Sequence, residues 1–266
     1  MPYVFTNGIR LGYERSGRGE RVLMIMGQRA AGRVWSLHQT PALARAGYQA
    51  ITFDNRGIPP SDVPPGKYSL ADMVADAKGL IEALDAAPCR IVGASLGALI
   101  AQELAISAPH LVRCCVLIAT KSRSDAARAS MGRAEIAMLE SGTELPGDYQ
   151  AATAVFHMLS PATLNNDAAV SLWLETFQLS HGKGTARGQA WVDSGVDRRE
   201  ALRTVTAPCR VIAFTDDLVT PPHLAAEVAE AIPDCDFVEV SGCGHYGYLE
   251  RPGEVNSAII DFLDKN

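Results

Sequence analysis

Short runs of β-branched and other apolar residues alternate along the first 120 residues with longer stretches whose apolar positions recur every three or four residues. Residues 4–5 and 9–13 flank Asn7-Gly8, a dipeptide suited to a two-residue hairpin turn. Residues 21–26 and 49–53 are apolar runs of strand length. The stretch 69–84 places Leu70, Met73, Val74, Ala77, Leu80, Ile81 and Leu84 on one helical face, with Ser69 positioned to cap it. Residues 90–93 then read as strand, 96–106 as helix and 112–119 as strand. Apolar runs without polar alternation are the mark of strands buried on both faces. Interleaved with amphipathic helices, they predict an α/β fold with a mainly parallel central sheet flanked by helices.

That rhythm stops near residue 121 and resumes near residue 206. The intervening stretch holds helical pieces and loops, no convincing strand, and Phe156, Trp173, Phe177, Trp191, His157 and His181. Beyond it, 210–214 reads as strand, 222–231 as helix, 236–240 as strand and 252–263 as helix. The simplest organisation is a core of residues 1–120 and 206–266, with a helical insertion of residues 121–205 after the sixth predicted strand.

With 47% hydrophobic and 20% charged residues, the chain has ordinary globular composition, which excludes a disordered or low-complexity protein. The formal net charge of −6 carries no Lys/Arg block, so neither nucleic acid nor an anionic membrane is an expected partner. No apolar run approaches the ~18 residues of a membrane-spanning helix. The first eight residues lack the basic region and apolar run of a signal peptide. None of the six cysteines forms a C-x-x-C, and Cys89, Cys114 and Cys209 border strand-like runs. Free thiols in a reducing cytoplasm are therefore expected rather than a disulfide framework.

The sharpest chemical feature is Gly93-Ala94-Ser95-Leu96-Gly97, directly after a predicted strand and directly before a helix. G-x-S-x-G in that context is a nucleophile elbow, a turn tight enough to strain its serine. A serine needs a base, and of six histidines His245 stands out, on the loop after the last predicted strand. Loops that follow parallel strands gather at one sheet edge, where Ser95 and His245 can meet. The base in turn needs a carboxylate. Asp217 and Asp216 both follow the 210–214 strand; two inward carboxylates would repel, so one should point to solvent, and Asp217, four residues before the helix-opening Pro221, is favoured. Asp125 is an outside candidate. An oxyanion requires two backbone N–H groups: Leu96 supplies one, and Gln28, on the loop after residue 26, supplies the other through its main chain.

At these residues the sequence resembles the α/β-hydrolase superfamily, in the capped, soluble branch that includes esterases, thioesterases and cofactor-free perhydrolases. The resemblance rests on residues 93–97, Phe53-Asp54-Asn55-Arg56-Gly57, Asp217-Leu218-Val219-Thr220-Pro221, and Gly244-His245-Tyr246-Gly247-Tyr248-Leu249-Glu250-Arg251-Pro252. It implies an α/β-hydrolase fold and makes the 121–205 insertion a lid whose Phe156, Trp173 and Phe177 would face substrate. It also implies cleavage of an ester, thioester or lactone of a moderately apolar small molecule, the acyl substrate being the one expected partner. The reaction needs neither metal nor organic cofactor. Lyase, cyclase, acyltransferase or plain binding roles on the same fold remain the alternative. The chain departs from the family twice: Met26 replaces the histidine common before the oxyanion-loop glycine, and the loop after Gly57 reads Ile58-Pro59-Pro60-Ser61. Serine at position 95 sets it apart from relatives with an aspartate nucleophile, the haloalkane dehalogenases and epoxide hydrolases.

Overall fold

A computed structural model describes residues 1–180, 186–192 and 195–266. Eight strands form one sheet: β1 (Tyr3–Thr6), β2 (Ile9–Gly17), β3 (Glu20–Ile25), β4 (Tyr48–Phe53), β5 (Cys89–Ala94), β6 (Val112–Ile118), β7 (Cys209–Phe214) and β8 (Cys235–Val240). Their spatial order is β1-β2-β4-β3-β5-β6-β7-β8, and β2 alone runs against the rest. The expected hairpin is present, with Asn7 and Gly8 both at positive φ (47° and 74°), the conformation that matches strand twist.

The helices are α1 (Gln39–Arg45), α2 (Leu70–Ala83), α3 (Leu96–Ser107), α4 (Ala126–Glu140), α5 (Gly147–Met158), α6 (Pro161–Leu164), α7 (Asp167–Ser180), α8 (Arg199–Leu202), α9 (Pro222–Ala231), α10 (Gly247–Glu250) and α11 (Pro252–Leu263). Ser69 caps α2 as expected, its hydroxyl accepting from the Asp72 N–H while the Asp72 carboxylate accepts from the Ser69 N–H. Helices α2, α3 and α9 cover one sheet face, and α1 and α11 the other. Along α11, Val255, Ile259, Phe262 and Leu263 are buried. Each such side chain contributes about 1.5–3 kcal/mol relative to exposure, which holds this terminal helix on the sheet.

Between β6 and β7 the described residues are helical or loop, with no strand among them. Helices α5 and α7 enclose a small apolar cluster of their own, Ala151, Val155, Leu159 and Phe177. The six cysteines are free thiols, with Cys235 half-buried and the other five buried. No helix among the described residues is long and apolar enough to cross a membrane.

Candidate active site

The site starts from how tightly β5 turns into α3. Ser95 joins them at φ 52°, ψ −117°, a conformation that costs an L-residue roughly 1–3 kcal/mol. The glycines on either side permit it by close approach. A Cβ on Gly93 would sit 2.3 Å from the Gly97 carbonyl oxygen, and one on Gly97 would sit 2.0 Å from that of Ile25. Gly97→Ala must therefore push α3 off β3. We expect it to destabilise the protein by about 3 kcal/mol or more, and to lower Tm in a melting scan by roughly 6–12 °C.

Two loops from the same sheet edge converge on the serine. His245, on the loop after β8, is buried, and its Nε2 lies 3.1 Å from Ser95 Oγ across 150 residues of sequence. Its Nδ1 lies 2.8 Å from Asp217 Oδ2. An ionised carboxylate only accepts, so Nδ1 carries the proton, and Nε2 is left to accept from the serine hydroxyl. Asp217 is 2% exposed and held on both oxygens. Oδ1 accepts from the Val219 and Thr220 N–H groups (2.7 and 2.8 Å), and Oδ2 accepts from Thr220 Oγ1 (2.8 Å). Burial by itself drives this carboxyl upward. Electrostatic attraction to the His245 ring, with hydrogen bonds from His245 and Thr220, outweighs burial and holds it below its ordinary 3.8.

The competing carboxylates lie elsewhere. Asp216 is half-buried, and its main-chain N–H donates to the Cys243 carbonyl. Asp125 caps α4 and pairs with Arg128. Of the other histidines, His38, His110 and His223 are exposed, His157 is half-buried on α5, and His181 lies outside the described residues.

The loop after β3 passes directly over the serine. A Cβ on Gly27 would sit 3.2 Å from Ser95 Cβ and 3.8 Å from Ser95 Oγ. Asn55 Nδ2 donates to the Met26 carbonyl (2.9 Å), and the Ala30 N–H reaches the Gly27 carbonyl at 3.4 Å. Gln28, the next residue on this loop, is exposed. The Leu96 N–H lies in the first turn of α3, where the helix offers it no acceptor. Met26 is buried, with its Sδ 3.9 Å from the Tyr248 hydroxyl.

Of the three insertion aromatics expected to face substrate, Trp173 and Phe177 pack with Tyr246 at ring-centroid distances of 5.7–5.8 Å, and the Tyr246 ring stacks on His245 at 6.2 Å. Phe156 is 66% exposed and stands outside that cluster. The sequence reading gave Tyr246 no role of its own, although it neighbours His245. Burial pushes its phenol up to about 12. Glu250 was likewise given no role: one carboxylate oxygen accepts from the Gly244 N–H (2.6 Å), and the other from Ser160 and Thr163 of the insertion. Its place five residues after the histidine was the available signal. Thr220 was foreshadowed by its spacing from Asp217, since an aspartate commonly accepts from N–H groups two and three residues on. No group of three His, Cys, Asp or Glu among the described residues is placed to hold a metal ion.

Comparison with known proteins is consistent with this architecture. A Mycobacterium tuberculosis H37Rv protein provisionally named non-heme bromoperoxidase BpoC is 44% identical over 257 residues, 96% of this chain and 98% of the relative. Its crystal structure superposes with a TM-score of 0.92 at 43% identity, covering 96% of each chain. A provisionally named carbamate hydrolase RutD from Azorhizobium caulinodans is 29% identical over 266 residues, 98% of each. The enol-lactonase of Burkholderia xenovorans LB400 shares the fold, with a TM-score of 0.81 at 23% identity over 99% of this chain and 100% of that one. The model of the alpha/beta hydrolase fold family matches residues 21–252, and the chain belongs to that family.

Proposed function

We propose that this protein is a serine hydrolase that cleaves an ester, thioester or lactone of a moderately apolar small molecule, with residues 121–205 as its cap. The observation that carries the reading is the continuous contact from Ser95 Oγ to His245 Nε2 (3.1 Å) and from His245 Nδ1 to Asp217 (2.8 Å). Ser95 Oγ attacks the carbonyl carbon as its proton passes to His245 Nε2, and Asp217 stabilises the resulting imidazolium. The oxyanion accepts from the Leu96 and Gln28 N–H groups. The leaving group takes the proton from His245, and water, deprotonated by the same ring, then frees the acid and restores the serine. Base assistance supplies about 10²–10⁴ in rate, and each oxyanion donor about 3–4 kcal/mol. The apolar cluster of Trp173, Phe177 and Tyr246 beside His245 supports an apolar acyl group.

The test is a fluorophosphonate probe followed by a panel of acyl esters. We expect one covalent label, on the peptide holding Ser95, and stoichiometric release of free acid. Absence of label would overturn the reading. A labelled enzyme that releases no acid would favour a lyase, cyclase or acyltransferase. The bromoperoxidase name of the 44% identical relative adds one arm to the assay. If hydrogen peroxide replaces water at the acyl-enzyme, the same panel yields peroxyacid instead of acid.

A further inference from the structure

The geometry points to Gln189, carried by the insertion, as the positioning residue that holds the oxyanion loop in its working conformation. This inference rests on the hydrolase reading above. Gln189 is 1% exposed, and its side-chain amide is used at both ends. Oε1 accepts from the Arg29 N–H at 2.8 Å, and Nε2 donates to the Arg56 carbonyl at 2.9 Å.

The peptide planes around Gln28 show what this bond does. The plane bearing the Gln28 N–H contains the Gly27 carbonyl, and its one main-chain bond, from Ala30, is long at 3.4 Å. The preceding plane is held by Asn55 through the Met26 carbonyl at 2.9 Å, and the following plane by Gln189 through the Arg29 N–H. Two side-chain amides thus clamp the candidate donor from either side. Arg29 needs the restraint, because at φ 62° it occupies a left-handed conformation that a non-glycine residue holds only when its surroundings impose it.

The other end of Gln189 rests on a rigid platform. Arg56, whose carbonyl it binds, forms a buried bidentate ion pair with Asp76 (2.6 Å for both bonds). The segment around Gln189 is itself wedged onto the core. The Tyr68 N–H donates to the Gly188 carbonyl at 2.9 Å, and a Cβ on Gly188 would sit 2.6 Å from the Tyr68 ring. Gln189 therefore transmits the position of a fixed core element to a loop 160 residues away in sequence. The oxyanion loop is thus restrained from the core by Asn55 and from the insertion by Gln189.

Gln189→Met keeps the length of the side chain and removes both hydrogen bonds. With ester substrate, the variant should lose roughly 10- to 100-fold in kcat while KM changes by less than about threefold. A displaced oxyanion donor weakens the transition state more than the bound substrate. Active sites are counted by fluorophosphonate titration, so that kcat is expressed per competent serine. We expect full stoichiometry with slower labelling. A normal kcat per titrated site would overturn the positioning role, whether or not Tm falls, because a merely structural glutamine lowers the number of competent sites and not their turnover. Native protein that neither labels nor turns over would remove the hydrolase reading, and this inference with it. Active native protein alongside an unimpaired Gln189→Met removes this inference alone.

Discussion

Ser95→Ala is expected to lower ester turnover by about 10⁶-fold, the loss seen when serine and histidine act as one unit. That factor corresponds to roughly 8 kcal/mol of transition-state stabilisation. The substitution removes one oxygen whose neighbour is His245 Nε2 at 3.1 Å, and it leaves the β5–α3 turn with a side chain of the same branching. Alanine inherits the strained φ of 52° without added penalty, so Tm should stay within a few degrees of the native value. The measurement is kcat with a chromogenic ester, alongside fluorophosphonate labelling. A variant that retains a tenth or more of native turnover would sink the assignment of Ser95 as nucleophile.

Asp217→Asn should cost about 10⁴-fold in kcat, for a different reason. The carboxylate accepts from four donors, one of them His245 Nδ1. An asparagine amide can turn its NH₂ toward Nδ1, which places the imidazole proton on Nε2 and leaves the serine hydroxyl without an acceptor. The same substitution changes the response to acid. Because Asp217 is held below its ordinary 3.8 in the folded protein, the ionised form is favoured there relative to the unfolded chain. The stability this contributes is complete above the unfolded value and is lost as pH falls through the lower, folded value. Asp217→Asn should therefore be less stable than the native protein near neutral pH, and the difference should narrow below about pH 4. Chemical denaturation at neutral and acid pH reads this directly. A constant difference across that range would mean that Asp217 is not held ionised by its partners. Asp216→Asn, by contrast, should leave turnover within a few-fold of native.

The strand runs, the capped helix over residues 70–83 and the elbow were legible in sequence because each is set by rules that act within a few residues. Apolar period, a capping serine three residues before Asp72, and glycines two residues either side of Ser95 all report on local backbone geometry. Parallel strands deliver the loops that follow them to one edge, and the folded chain brings the side chains of Ser95, Asp217 and His245 into contact there. The choice of Asp217 over Asp216 rested on its place four residues before Pro221 and on the repulsion between two inward carboxylates. The folded chain makes it sharper: two N–H groups, the Thr220 hydroxyl and the His245 ring all meet on Asp217.

Other features had no local signature. The aromatic residues of the insertion share one composition, yet Phe177 is buried against Trp173 and Tyr246 while Phe156 faces solvent. Which side of α5 and α7 turns inward depends on how the two helices pack on each other and on the His245 loop. Gln189 lies in a short stretch with no periodicity, and nothing in its neighbours marks it. The sequence by itself determined the sheet-and-helix alternation and the strained serine, because turn and helix geometry are written over three to five residues. Only the tertiary structure decided which side chains meet across 133 to 160 residues of chain, as Gln189 meets Arg56 and Arg29. Such contacts depend on strand order and helix packing, and these are properties of the whole fold rather than of any segment.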